Sequence, residues 1–133
     1  MNGRVIGLLS LFGAAMAVAT VYVIPPSVEP LLWLGIFVFC AYVLARSVRQ
    51  QAFLHGLAIG VLNSVWITVA HVLLFNDYIA RHPREAAMSA SMPLASHPRV
   101  MMAIVGPVIG VISGTVLGLF AMIAFRVLRK GRA

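Results

Sequence analysis

The residues of this sequence that best suit a functional site are polar side chains inside an apolar run. Asn63 and His71 lie within residues 52–75, and Asp77 follows directly after that run. Polar groups in a membrane-length segment are costly and are often functional. A histidine beside a carboxylate can relay protons, and the same pair can instead be a hydrogen-bonded helix end. Asn63, His71 and Asp77 are therefore the predicted polar site, with both interpretations open. His55, near the start of the run, is expected to extend its ring to the membrane interface.

The segment after this run carries side chains suited to a soft metal. The tripeptide HPR occurs at 82–84 and again at 97–99, with Met88 and Met92 between the two copies. Thioether and imidazole groups bind Cu(I) and tolerate an oxidising compartment. A short helix within 83–93 would place both methionines on one face. The competing interpretation is a loop whose histidines precede prolines because such pairs suit turns. No metal or other cofactor is predicted; if the loop binds Cu(I), the candidate ligands are Met88, Met92, His82 and His97.

The acidic residues argue against several kinds of activity. All three, Glu29, Asp77 and Glu85, lie outside the apolar runs, so proton-coupled transport through a membrane carboxylate is not expected. The serines lack a suitably placed base, no H-E-x-x-H motif occurs, and the glycines lack the lysine of a phosphate-binding loop. The chain is therefore predicted not to be an enzyme. Its single cysteine, Cys40, excludes an intramolecular disulfide.

The elements that would position these residues are transmembrane helices. Hydrophobic residues make up 62% of the 133, charged residues only 10%, and the mean hydropathy is +1.01, which together indicate a membrane protein. About 20 apolar residues cross a bilayer, and such a segment must be helical to satisfy its backbone. We predict an all-α four-helix membrane bundle that forms a single domain over 1–133. Its predicted parts are spans at 5–24, 31–47, 52–75 and 100–125, an outer loop at 76–99 and a basic tail at 126–133.

The distribution of basic residues predicts that both termini are cytoplasmic. The residues that flank the predicted cytoplasmic ends of the spans are Arg4, Arg46, Arg49, Arg126, Arg129, Lys130 and Arg132. The positive-inside rule then places the long third loop outside. Arginine far outnumbers lysine, which suggests a GC-rich bacterial genome, so the expected location is the bacterial inner membrane. One alternative stays open: the first apolar run, with Ala17 and Ala19, resembles a secretory signal whose cleavage would leave three spans.

Small residues recur at every fourth position in the third and fourth spans. Residues four apart on an α-helix differ by about 40°, so they stay on one side for several turns. Lipid supplies no hydrophobic drive between helices, and small side chains allow the close approach that dispersion attraction requires. We predict that the two spans pack antiparallel through these faces, with Asn63 and His71 hydrogen-bonded inside the bundle; the alternative is pairing with a second copy. The residues are Gly56, Gly60, Ser64, Thr68, Gly106, Gly110, Gly114 and Gly118.

These features favour a small polytopic membrane protein with a structural or accessory role. Its expected partners are the lipid bilayer and either a second copy or another membrane protein; nucleic acid is not expected, because the basic residues are explained by topology. A small-solute or ion permease is the alternative, and soft-metal handling by the outer loop is a third possibility. The permease would use the polar face formed by Asn63, Ser64, Thr68 and His71.

Overall fold

The computed structural model describes residues 1–48 and 50–130, and 85% of it is helical. The described residues contain no strand, so the all-helical prediction is confirmed. The helices are α1 (Gly3–Tyr22), α2 (Glu29–Ser47), α3 (Ala52–Leu73), α4 (Phe75–Arg81), α5 (Pro83–Ser91) and α6 (Pro98–Lys130). Four of them, α1, α2, α3 and α6, are long and apolar enough to cross a membrane. Arg49 and Arg132, two of the predicted cytoplasmic residues, lie outside the described residues.

Local signals explain where the first three helices begin and end. The Asn2 side chain accepts a hydrogen bond of 3.3 Å from the backbone N–H of Val5, which caps α1. Pro25 and the proline after it stop the chain from continuing as a helix. Pro30 lies in the first turn of α2, where its missing N–H costs nothing. Gln51 adopts a left-handed conformation with φ of 58°, which reverses the chain between α2 and α3.

The predicted outer loop and basic tail both contain helical structure. Helices α4 and α5 occupy most of the predicted loop at 76–99. Helix α6 has 33 residues, or about 50 Å at 1.5 Å per residue, and continues past Phe125 into the basic residues as far as Lys130. It also passes through Pro107. The predicted short helix between the prolines at 83 and 93 corresponds to α5.

Helices α3 and α6 form the centre of the bundle, with α1 beside α3 and α2 beside α6. Asn2 contacts His55 near the start of α1 and α3, and Thr20 contacts His71 near their ends, so these two helices run parallel. We call the end of the bundle that holds Tyr22, α4 and α5 the α5 end. The other end, which holds the start of α1 and the end of α6, is the termini end.

Most of the large core side chains lie in the half of the bundle nearest the termini end; Met16 and Val21, in the second half of α1, are exceptions. Leu44 of α2, Ile59 of α3 and Leu117 of α6 are 0% exposed, and Cys40 and Ala121 pack with them. All the buried residues of α2 lie in its second half. The bundle is therefore closed in this half, whereas the first half of α2 contributes little to the core.

Helices α3 and α6 pack backbone against backbone. A Cβ atom placed on Gly56 would lie 2.6 Å from the Cα of Gly118, and one placed on Gly60 would overlap the Cα of Gly114. The next two turns repeat the arrangement with a hydroxyl side chain on α3 facing a glycine on α6. Each step of four residues along α3 thus matches a step of four along α6, which defines an antiparallel register. The pairs are Gly56–Gly118, Gly60–Gly114, Ser64–Gly110 and Thr68–Gly106.

Replacing Gly114 by alanine should destabilise the protein by about 1–3 kcal/mol, because the new Cβ would lie 2.6 Å from the carbonyl oxygen of Leu57. Gly7→Ala is the matched control: within the described chain nothing lies within 4 Å of a Cβ at Gly7, so alanine should be neutral or stabilise by up to about 1 kcal/mol. Unfolding in mixed detergent micelles, followed by circular dichroism, measures both. Equal unfolding midpoints for the two variants would contradict the backbone contact.

Candidate functional site

The polar side chains of α3 are divided between its two neighbours. Asn63 packs against Gly13 of α1, where an added Cβ would lie 2.5 Å from Asn63 Oδ1. Its amide is 3% exposed, and neither Nδ2 nor Oδ1 has a hydrogen-bond partner among the described residues. The Nε2 atom of His71 lies 3.1 Å from Thr20 Oγ1, also on α1. Ser64 and Thr68 instead face α6, so the four residues do not share one polar surface.

Asn63, His71 and Asp77 do not come together as the predicted polar site. Eight residues along α3 separate Asn63 from His71 by about 12 Å. Helical structure is interrupted at Leu74, between α3 and α4. Beyond this interruption, the Asp77 carboxylate accepts a 3.0 Å hydrogen bond from Tyr22 of α1. Each of the three side chains therefore has different surroundings, and the proposed relay from His71 to Asp77 is not formed in this arrangement.

Three aromatic rings stack at the α5 end, a feature that the sequence analysis missed. The Tyr78 ring lies between His71 and His82, with centroids 4.2 Å and 4.4 Å away and interplanar angles of 23° and 22°. The buried ring of His82 donates from Nδ1 to the carbonyl oxygen of Tyr78 at 2.8 Å. The stack fixes α4 between α3 and α5. The four-residue spacing of Tyr78 and His82 was the available signal for one of the two contacts, since residues four apart lie on one side of a helical turn. The contact of His71 with Tyr78 depends on the interruption between α3 and α4.

His55 is enclosed, so the expectation that its ring extends to the membrane interface was wrong. Its Nε2 accepts a 2.9 Å hydrogen bond from the backbone N–H of Asn2, and its Nδ1 donates to the carbonyl oxygen of Gln51 at 2.8 Å. These bonds define the neutral ring with its proton on Nδ1. His55 therefore ties the start of α1 to the start of α3, because the parallel packing brings those two ends together.

A partly enclosed cavity of about 290 Å³ lies at the α5 end between α3, α5 and α6. Met88 of α5 and Met92, the residue directly after α5, both line it. Ser64 and Thr68 border it from α3. They belong to the last two small-residue pairs of the α3–α6 contact, which ends at the cavity. Its walls combine four thioethers with an imidazole, a phenol and a carboxylate. These groups belong to Met88, Met92, Met101, Met102, His71, Tyr78 and Glu85.

The four candidate metal ligands lie in three different places. Met88 and Met92 line the cavity, but His82 belongs to the ring stack and borders a separate pocket beside Pro25. His97 is exposed, and its Nδ1 lies 2.9 Å from Ser96 Oγ. Within 1–48 and 50–130, no group of three or more His, Cys, Asp or Glu residues is arranged to hold a metal ion.

Among the described residues that line the cavity, Glu85 is the one with a charged side chain. Glu85 lies in the first turn of α5, where the helix dipole favours negative charge. Its Oε2 is shut off from solvent and has no hydrogen-bond partner in the described part of the chain. Burial, followed by the negative charges of Glu85 and Glu29, raises the pKa of Tyr78 to about 12. The Tyr78 phenol therefore stays neutral over the ordinary pH range.

Tyr78 should ionise only when the pH approaches 12 in the folded protein, against an ordinary value of 10.0. Because the raised pKa favours the neutral phenol, the stabilisation that follows is fully present below pH 10.0 and is lost as the pH rises through about 12. Near-ultraviolet absorbance of the phenolate measures this ionisation. The hydrogen bond to Asp77 also raises the pKa of Tyr22, so the comparison is made in a Tyr22→Phe background. There Tyr78→Phe should remove the late component, and Tyr42→Phe, at an exposed position, should leave it unchanged. A late component that survives Tyr78→Phe would refute the assignment.

No protein-family model matches this chain, and neither the curated proteins nor the solved structures include a match to it. The function of this chain is therefore inferred from three features of its structure: the α3–α6 register, the ring stack and the cavity.

Proposed function

We propose that this chain is a four-span protein of the bacterial inner membrane, with both termini in the cytoplasm and a non-enzymatic accessory role. In this role it binds a small molecule in the cavity at the α5 end. The observation that carries the proposal is the difference between the two halves of the bundle: one is filled by large side chains, and the other contains a cavity of about 290 Å³. Pockets of about this volume upwards bind small ligands.

The orientation is supported by charge. The basic residues of α1, the end of α2 and the end of α6 all belong to the termini end, which the positive-inside rule assigns to the cytoplasm. The described members of this group are Arg4, Arg46, Arg126, Arg129 and Lys130. The cavity then belongs to the extracytoplasmic half of the protein.

The closed half supports binding rather than permeation. Leu44, Ile59 and Leu117 fill the space between the helices, and the α3–α6 backbones touch beside them. A solute that enters the cavity has no route onward past these side chains in this conformation. The walls also consist mainly of thioether and aliphatic groups, which hold a ligand by dispersion contacts.

The small-residue faces are unavailable to a second copy, because each covers the other within the chain. We therefore propose that any protein partner meets a different surface. The first half of α2 is the strongest candidate, since Leu31, Leu34 and Val38 are exposed there and none of its residues is buried.

A permease is the second candidate, favoured by one observation. Ser64, Thr68 and His71 of the predicted polar face all border the cavity, although Asn63 does not. Transport would require the closed half to open so that water reached both halves of α3.

Two isoleucines on α3 test these alternatives in a Cys40→Ala background. Ile67→Cys places a thiol in the cavity wall, and Ile59→Cys makes the same change two turns deeper at a fully buried position. If the protein binds without transporting, a water-soluble maleimide should label position 67 at least about tenfold faster than position 59, because reaction requires access to water. Comparable labelling of both positions from the extracytoplasmic side would favour the permease.

A further inference from the structure

We propose that the ligand of this cavity is a lipophilic organic monocation, an ammonium-type ion with an apolar body, whose charge is neutralised by Glu85. This inference rests on the binding role proposed above and specifies the chemical class of the ligand.

The unpaired carboxylate gives the cavity its charge preference. Glu85 Oε2 is shut off from solvent without a hydrogen-bond partner in the residues described, although a buried charged oxygen normally requires a donor or a cation. Oε2 itself is closed to an occupant of the cavity as it is to solvent, but Glu85 is the one charged residue among those described that line the cavity. A ligand that places a positive charge beside this carboxylate lowers that cost. A neutral ligand leaves it in place, and an anion increases it.

No arginine is among the described residues that line the cavity: Arg84 is exposed, and the other two arginines at this end lie over aromatic rings. The guanidinium of Arg81 lies 5.5 Å from the Tyr22 ring centroid, and that of Arg99 lies 5.3 Å from the centroid of Phe75. Both faces of the Tyr78 ring are covered by the stacked histidines. A cation in the cavity is therefore recognised by the Glu85 carboxylate rather than by an aromatic face.

The remaining wall selects the body of the ligand. Four methionines supply flexible, polarisable surfaces that adapt to different shapes. The combination of one hard carboxylate oxygen with soft thioethers suits no single class of metal ion. It does suit a molecule with its charge at one end and an apolar group at the other, because each part meets the matching chemistry.

Cavity volume limits the size of the ligand. An apolar cavity of about 150 Å³ accommodates benzene, so one of about 290 Å³ has room for roughly a dozen non-hydrogen atoms. Benzyltrimethylammonium falls within this limit. Its uncharged carbon analogue, neopentylbenzene, has nearly the same shape and provides a matched control for charge.

Methionine methyl groups report binding directly. With isotope-labelled methionine in phosphatidylglycerol nanodiscs, benzyltrimethylammonium should shift the signals of Met88, Met92, Met101 and Met102. Met16, which is buried in α1 away from the cavity, should not shift. Neopentylbenzene should bind at least about tenfold more weakly, because it leaves Glu85 unpaired.

Variants that each remove one negative charge distinguish the effect of Glu85 from the effect of other acidic residues at the α5 end. Glu85→Gln keeps the shape of the side chain and should weaken binding of the cation by about tenfold or more. Asp77→Asn removes the same charge from a residue that bonds Tyr22 outside the cavity, and it should change the affinity by less than about twofold. Circular dichroism and the Met16 signal check that each variant is folded.

The outcomes distinguish this inference from the proposed function. If both probes shift the cavity methionines with equal affinity, or Glu85→Gln binds the cation as tightly as the unmodified chain, the cationic class is wrong while the binding role stands. If neither probe shifts them, both proposals fail. Should Glu85→Gln not fold, the comparison of the two probes on the unmodified chain still decides the class.

Discussion

The close approach of the α3 and α6 backbones is the contact on which the rest of this structure depends. Between helices in lipid, attraction comes from dispersion and grows only when backbones approach closely. At Gly56 and Gly60 any larger residue would meet the backbone of α6 directly. The contact repeats four times, about once per turn. It therefore fixes the register of α3 along α6, and with it how far α6 extends beyond each end of α3.

The cavity is a consequence of where that contact ends. The last small pair, Thr68 and Gly106, borders the cavity, and beyond it larger residues such as Met102 and Val105 follow on α6. Helix α5 and the residue after it cover this region and add Glu85 and two thioethers to its wall. At the opposite end Leu44 and Leu117 fill the bundle. One helix pair thus produces a closed half and a half with room for a ligand.

Two polar contacts hold α1 against α3. Thr20 with His71, and Asn2 with His55, join α1 to α3 at both ends of their interface, and the parallel packing of these helices makes both bonds possible. Asn63 is the exception within α3, since its amide is buried against Gly13 without a partner in the described chain. Glu85 differs from all of these because its side chain lines a space large enough for a ligand.

The sequence by itself determined the four long apolar helices and the two sets of small residues, because composition and a four-residue period are local properties of a helix. It did not determine which polar groups meet. The interruption of helical structure at Leu74 directs Asp77 toward Tyr22 and places Tyr78 between two histidines. The parallel packing of α1 and α3 encloses His55. Only the tertiary structure gathered Glu85 with methionines from α5 and α6, since those helices are positioned by contacts between distant segments.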